Sequence, residues 1–271
     1  MIGLLCATPR ELETVIPLLA DTADSASPSG TRLVRGRAGG SEVLAFSAGI
    51  GKVSAAAGAR FLIDRFTLHA MLVFGMAGAL SPLLQVGDLV IADVLVPADV
   101  GVAHSGGYHT TGPGQCENGR LVFCPSFEVP PSMLRRVHMA AEDAGLPYRL
   151  GKVLTCDQIV LEPELRSHLG EAFGALAVEM EGAAVAQVAA TEGLPFAAVR
   201  AISDELSHDF VGFERLLEYR GQARRNIWHN RFRLAVSGAD TVARAREMSR
   251  GRDAALASLG VFLRSFLAEP G

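Results

Sequence analysis

Acidic side chains follow several predicted strands at the points where those strands end. Glu11 comes after the first apolar run, Glu179 and Glu181 come after a later one, and Asp204 closes the last. The carboxyl ends of strands in an open α/β sheet meet at one edge, where ligands bind. Paired carboxylates there suit general acid–base work on a neutral substrate. Each acid taken alone is more typical of a helix cap or an ion pair.

Metal and disulfide chemistry are poorly supported. The chain has four cysteines, none in CxxC spacing with another, so neither a disulfide scaffold nor a zinc site is predicted: Cys6, Cys116, Cys124 and Cys156. We expect no metal and no cofactor. The first residues lack the basic region and cleavage site of a signal peptide, so we expect a cytoplasmic protein.

Composition narrows the class of protein further. The chain has 271 residues, 49% of them hydrophobic and 20% charged, which excludes a disordered or fibrous chain. A formal net charge of −4 argues against nucleic acid as the partner. The longest apolar stretch, 70–86, is interrupted by glycine and proline and favours strand, turn and strand over a membrane helix.

Strand and helix patterns alternate through residue 203, which predicts one α/β domain with a largely parallel sheet. Thr8 and Pro9 predict a helix start, although Pro17 interrupts the apolar stripe that follows. We interpret 21–30 as a loop, 75–78 as a glycine turn and 100–125 as a long loop or meander. The predicted strands are 2–7, 32–37, 43–47, 71–74, 86–93, 150–155, 175–178 and 195–202; the predicted helices are 52–66, 131–144, 162–169, 183–192 and most of the chain after 212.

The segment 214–252 is strongly basic. It holds ten arginines against four acids, a net charge of +6. A solvated or intersubunit pair of helices explains this composition, and so does a surface that meets anionic lipid or an acidic partner. Both readings stay open.

Two motifs carry a resemblance to a known family. The run Ala177–Val188, which contains VEMEGAA, and the run Val199–Asp204, which contains RAISD, resemble the nucleoside phosphorylase/nucleosidase superfamily. The resemblance is greatest to the 5′-methylthioadenosine/S-adenosylhomocysteine nucleosidases, and covers about 2–210. It implies a single-domain, three-layer α/β fold with a central mixed, largely parallel sheet flanked by helices. We therefore expect a catalytic domain at 1–210 and a helical extension at 211–271 packed on it.

The resemblance also implies a reaction, in which the N-ribosidic bond of a purine nucleoside breaks through an oxocarbenium-like transition state. Asp204 matches the general acid that protonates purine N7, Glu11 matches the base that activates water, and Arg200 matches an arginine near that water. Glu181 matches the acceptor of the ribose hydroxyls. The substrate-binding positions implied are Ile50, Met76, Ile159, Val160, Glu179, Met180, Glu181 and Ser203.

Two positions depart from the family pattern. Met76 stands where these nucleosidases commonly have serine, and Ile159 where they usually have an aromatic that stacks on the base. A thioether cannot donate a hydrogen bond, and an aliphatic contact lacks the aromatic contribution of ~1 kcal/mol. Both changes weaken the case for the standard methylthioadenosine substrate more than the case for nucleoside cleavage.

Hydrolysis is the favoured reaction because 73–76 has neither the arginine nor the serine with which related phosphorylases hold phosphate. A glycine nest at 49–51 keeps phosphorolysis open as an alternative. Two further alternatives also stay open: a larger substrate, such as adenosylhopane or futalosine, and a non-catalytic nucleoside-binding module. The resemblance also implies a homodimer whose 102–113 loop, with His104, closes the partner's 5′-site, whereas Lys52 is expected to be structural.

Overall fold

The computed structural model describes residues 1–27, 30–105, 107–209 and 239–268. The helices are α1 (Pro9–Leu12), a 3-10 turn (Ile16–Leu18), α2 (Lys52–Arg65), α3 (Pro131–Ala144), α4 (Pro163–Phe173), α5 (Gly182–Thr191) and α6 (Ala239–Ala268). The strands are β1 (Ile2–Cys6), β2 (Ala20–Ala26), β3 (Arg32–Ala38), β4 (Ser41–Ser47), β5 (Ala70–Ala79), β6 (Leu89–Pro97), β7 (Gly101–His104), β8 (Gly107–Thr110), β9 (Gly114–Glu117), β10 (Arg120–Phe123), β11 (Phe127–Glu128), β12 (Tyr148–Thr155), β13 (Ala175–Glu179) and β14 (Phe196–Asp204).

The central sheet closes on itself at one end. Strands β6, β12, β13, β5 and β14 pair in a ring, because β14 bonds to both β5 and β6. From β5 the sheet continues through β1, β4, β3 and β2 to an open edge. Within the described residues, this sheet has five parallel and five antiparallel pairings, so it is a mixed sheet.

Apolar strands and small-residue helices build the core. Every residue of β1 is buried, as a strand covered on both faces requires. Helix α5 reads GAAVAQVAAT, and its buried alanines and Val185 allow it to pack closely against α2 and the strands. Helix α3 packs against α6, and both contact β14. Among the described residues, no helix is long and apolar enough to cross a membrane.

The described part of the C-terminal extension is one long helix. On α6 the side chains of Leu259, Phe262, Leu263 and Phe266 are fully buried, and the helix contacts β14, β5 and α3. The arginines of the basic segment at 224, 225, 231 and 233 lie outside the described residues, so the prediction of a lipid-binding surface stays a prediction.

The interpretation of 75–78 as a turn is wrong. Strand β5 runs without interruption from Ala70 to Ala79 and passes through both glycines. A side chain at Gly75 would collide with the side chains of Arg200 and Glu11, and one at Gly78 would collide with that of Asp204. The glycines therefore leave room for charged groups from neighbouring elements and do not turn the chain.

Two other local expectations need correction, and for 100–125 the structure shows the meander and not the long loop. The predicted loop 21–30 contains most of β2, an exposed strand that pairs with β3 without any apolar pattern of its own. The helix predicted after Thr8 is a single turn followed by a 3-10 turn at Pro17. Segment 100–125 forms two short hairpins, β7–β8 and β9–β10.

We expect the α6 contact to contribute strongly to stability. Replacing Phe262 with alanine removes a fully buried ring from the α6 face and should cost about 3–5 kcal/mol of unfolding free energy. Urea unfolding of the full chain measures this. The matched control is Val261→Ala, at a side chain that is 42% exposed, and it should cost less than about 1 kcal/mol. Equal losses in the two variants would contradict the docking of this face.

Candidate active site

Four strands bring the predicted site residues to one region. In the parallel register of β14 and β5, Arg200 lies beside Gly75 and Asp204 beside Gly78. Strand β5 also pairs with β1, whose end leads into the Glu11 turn, and with β13, whose end carries Glu179. These strands are far apart in the sequence, but their carboxyl ends lie close together in the sheet.

A one-turn helix fixes Glu11. Thr8 caps α1, and its N–H and hydroxyl donate to Oε2 of Glu11 at 2.8 and 2.9 Å. The N–H of Ala7 donates to the same oxygen at 3.1 Å, while Oε1 accepts from the N–H of Met76 at 2.9 Å. Glu11 is only 3% exposed, so its carboxylate has little access to water. The four protein donors replace that water as hydrogen-bond partners. Oε1 keeps one acceptor position beyond its bond to Met76.

Arg200 and Glu11 meet at Gly75. A Cβ at that glycine would lie 2.6 Å from Nη1 of Arg200 and 2.7 Å from Oε1 of Glu11. Arg200 itself is 1% exposed, so its guanidinium is held within the protein beside the carboxylates. This matches the predicted neighbourhood of the two residues.

Glu179 is used entirely by the protein. Its oxygens accept from the N–H groups of Glu181 and Gly182, from the hydroxyl of Thr155 and from the guanidinium of Arg200. The geometry therefore favours a structural role for Glu179 over the predicted contact with substrate. It anchors the turn that presents Glu181 and holds Arg200 in place.

Glu181 is one of the acids whose pKa the fold raises. Burial raises the pKa of Glu181 to about 7, and the charges of Glu179 and Glu11 act in the same direction. The guanidinium of Arg200 and the N–H of Gly51, which donates to Oε1 at 2.9 Å, oppose this rise in pKa. A buried carboxylate of this kind can accept hydrogen bonds from vicinal hydroxyls.

Asp204 stands at the opposite end of the site. Its Oδ1 lies 2.7 Å from the hydroxyl of Ser203, which also lies 3.3 Å from the carbonyl of Ala77. Burial raises the pKa of Asp204, and the hydrogen bond from Ser203 acts against that rise. A raised pKa is what a carboxyl group needs to keep a proton near neutral pH.

Sequence reasoning missed Arg166. This arginine on α4 is fully buried, and Nη1 lies 2.7 Å from Oδ2 of Asp204. Its position in an otherwise ordinary amphipathic helix gave no signal, because the contact depends on how α4 packs against β13 and on the course of the chain after β14.

The amino end of α2 is occupied by the protein's own acids. The N–H of Gly51 donates to Glu181, and the N–H of Lys52 donates to Oδ1 of Asp157 at 2.8 Å. The ammonium of Lys52 pairs with Asp99, whose other oxygen accepts from the N–H of Asp157 at 2.8 Å. Lys52 thus has structural partners, and the 49–51 turn already holds anionic groups.

The apolar positions border the charged ones. Met76 and Met180 are partly buried, and Val160 is partly buried in the loop that follows β12. Ile50 and Ile159 are 59% and 54% exposed. His104 is exposed on β7, and its predicted role in a partner's site stays a prediction.

The described residues contain no group of three or more histidine, cysteine or acidic side chains arranged to hold a metal ion. The residues predicted for the site supply a buried carboxyl group at one end, and a carboxylate beside a guanidinium at the other. Oε2 of Glu181 lies 3.9 Å from Nη1 of this guanidinium.

Comparison with known proteins decides the family. Residues 1–226 match the model of the Phosphorylase superfamily. The chain belongs to this superfamily. A 5′-methylthioadenosine/S-adenosylhomocysteine nucleosidase from Mycobacterium bovis is 32% identical over 231 residues, which cover 80% of this chain and 90% of the relative. This similarity assigns the chain to the N-glycosyl hydrolases of the phosphorylase superfamily.

Solved structures show the same phosphorylase-superfamily fold. The nucleosidase of this type from Neisseria meningitidis, in complex with methylthio-immucillin-A, superposes with a TM-score of 0.74 at 21% identity, covering 98% of each chain. Futalosine hydrolase from Helicobacter pylori gives 0.73 at 24% identity, covering 98% of this chain and 96% of the other. The predicted α/β fold with a central mixed sheet flanked by helices is confirmed.

We expect Gly75 to be essential to the site of this superfamily member. A methyl group at Gly75→Ala would force Arg200 and Glu11 apart and lower turnover about 100-fold, with a loss of about 1–3 kcal/mol in stability. Steady-state kinetics and urea unfolding measure the two effects. Gly260→Ala on α6 is the control, because an added Cβ there meets no atom within 4 Å. Unchanged turnover in Gly75→Ala would contradict this account.

We expect Glu181→Gln to stabilise the protein above pH 7. The carboxyl titrates near 4.5 when unfolded and near 7 when folded, so the parent loses stability as pH rises through this window. Glutamine does not titrate, and the variant should gain on the order of 1–3 kcal/mol relative to the parent between pH 4.5 and 7.5.

Chemical unfolding across this pH range tests the Glu181 prediction. The control is Glu13→Gln, at a side chain that is 62% exposed, and this surface substitution should change the free energy of unfolding by no more than about 0.5 kcal/mol. A constant difference for Glu181→Gln would show that burial does not raise the pKa of this carboxyl.

Proposed function

We propose that the protein hydrolyses the N-ribosidic bond of a 5′-modified purine nucleoside, most simply one of adenine, and releases the free base. The observation that carries the proposal is the arrangement of acids around one site. Asp204 lies with Ser203 at one end, the Glu11–Arg200 pair lies at the other, and Oε2 of Glu181 lies 3.9 Å from Nη1 of Arg200.

Asp204 acts as the general acid at purine N7. Protonating N7 withdraws electrons from the N-ribosidic bond and turns the base into a neutral leaving group. The raised pKa of Asp204 supports this role, since it favours the protonated form before transfer. Ser203 orients the carboxyl through its hydroxyl, 2.7 Å from Oδ1.

Glu11 activates water at the opposite end. Its Oε1 has one acceptor position left, and Nη1 of Arg200 lies against the same point of β5. A water bound to both groups would lose its proton to Glu11 as it attacks the anomeric carbon. Glu181 would accept the ribose hydroxyls, and its negative charge would favour the cationic sugar of the transition state.

The occupied amino end of α2 supports hydrolysis over phosphorolysis. A phosphate would need free N–H groups at the amino end of α2, but those of Gly51 and Lys52 already donate to Glu181 and Asp157. A dianion placed there would also lie against these two carboxylates. The only lysine at this point, Lys52, is paired with Asp99.

The exposed isoleucines favour a substrate with apolar bulk as the second candidate. Ile50 and Ile159 are each more than half exposed in the loops that follow β4 and β12, and Met76 on β5 is partly buried. An apolar 5′-substituent would cover such side chains and gain about 25 cal/mol per Å² of buried apolar area. The futalosine hydrolase neighbour shares the fold and makes this class worth testing.

The test is release of free base from a nucleoside panel, with and without inorganic phosphate, followed by chromatography. The panel holds methylthioadenosine, adenosylhomocysteine, 5′-deoxyadenosine, inosine and a futalosine-type compound. We expect base and free sugar without phosphate. A sugar 1-phosphate formed only with phosphate would replace hydrolysis by phosphorolysis.

Variants separate an enzyme from a binding module. Asp204→Asn and Glu11→Gln should each lower kcat by about 10²–10⁴-fold while nucleoside binding persists. The control is Asp253→Asn, at a side chain that is 62% exposed. If the parent binds nucleosides tightly but releases no base from any of them, the binding-module alternative is correct.

A further inference from the structure

Arg166 is a fully buried cationic side chain to which the proposed reaction assigns no role. It lies on α4 at 0% exposure, whereas the arginines of the described surface have accessible guanidinium groups. An unpaired buried guanidinium is strongly destabilising, so its partners indicate why the chain tolerates it.

Those partners all lie in residues 204–208, which begin with the last residue of β14. Nη1 donates to Oδ2 of Asp204 at 2.7 Å and to the carbonyl of Glu205 at 3.0 Å, and Nη2 donates to the carbonyl of His208. The planar fork thus spans residues 204–208 and fixes the acid relative to the loop behind it.

This contact makes the two oxygens of Asp204 unequal. Oδ2 accepts from a cation that cannot itself accept a proton, so a proton on the carboxyl belongs on Oδ1. When Oδ1 is protonated, the hydroxyl of Ser203 can accept from it and donate instead to the carbonyl of Ala77, 3.3 Å away. Oδ1 is therefore the oxygen prepared for proton transfer.

We propose that Arg166 is a positioning residue for the general acid: it holds Oδ2 of Asp204 so that the transferable proton is carried on Oδ1. This inference rests on the proposed function and assigns a further residue to it. In the step, the Oδ1–H bond breaks, an N7–H bond forms on the purine, and the new carboxylate charge stays paired with Arg166.

The surrounding charges act on the same acid. Burial raises the pKa of Asp204, while the positive charges of Arg166 and His208 lower it. His208 pairs with Glu247 on α6 at 3.4 Å, and the charge of Asp209 acts on Arg166. Arg166 is the one of these cations that contacts the Asp204 carboxyl directly, so removing it should have the larger effect.

The test is the titration of Asp204 in the full-length protein, followed by ¹³C NMR of labelled aspartate carboxyls and assigned with Asp204→Asn. Arg166→Gln removes the charge and should raise the pKa of Asp204. In the same variant, the limb of the kcat profile where activity is lost at high pH should move to higher pH, and kcat should fall about tenfold to a hundredfold.

Arg166→Lys separates charge from geometry. Lysine keeps the positive charge but lacks the planar guanidinium with its several N–H donors. The high-pH limb of the kcat–pH profile should therefore stay near that of the parent, while kcat still falls about tenfold. Arg60→Gln, which removes an exposed ion pair on α2, is the control and should change neither quantity. If Arg166→Gln does not fold, the kcat and the pH profile of Arg166→Lys test the positioning role of Arg166.

Two results overturn the inference. One is a loss of kcat in Arg166→Gln that is equal at every pH, with the NMR titration of Asp204 unchanged. The other is an Arg166→Lys variant that equals the parent in kcat throughout. Failure of the proposed function has a different signature: the parent releases no base from any nucleoside, while the NMR titration of Asp204 still responds to Arg166→Gln.

Discussion

A buried ion pair between Arg200 and Glu179 holds the site together. Both side chains are 1% exposed, so neither charge could remain without the other. The pair joins β14 to the end of β13, and the same carboxylate binds the N–H groups that begin α5. Arg200 is thereby fixed beside Glu11, and Glu181 is presented from the turn that Glu179 anchors.

A second constraint is that charged side chains lie directly against the backbone of strand β5. The strand has glycine at positions 75 and 78, because a larger residue would occupy the same space. Long strands normally favour branched and aromatic side chains, because these pack well on a pleated surface. At Gly75 and Gly78 such side chains would displace Arg200, Glu11 or Asp204. The strand gives up local packing at two positions, and the side chains of Arg200, Glu11 and Asp204 occupy the space.

Electrostatics also bear on the choice of nucleophile. The amino end of α2 attracts anions, as helix amino ends do. Here Glu181 and Asp157 supply the anions, so the same dipole that could bind phosphate instead fixes two loops of the site. The fold thus combines the framework of a phosphorylase superfamily with a closed anion position, which is the arrangement that a water-using member needs.

The sequence by itself determined the α/β class and most strand positions, because apolar runs are local signals. Its motifs also singled out Glu11, Glu181 and Asp204 as candidate site acids, which stays a prediction. It misjudged 75–78 and could not find Arg166. Tertiary structure decided both, since a glycine in a strand looks like a turn until the side chains that need its space are known. Arg166 acts on Asp204 across 38 residues of chain, and only the packing of α4 brings them together.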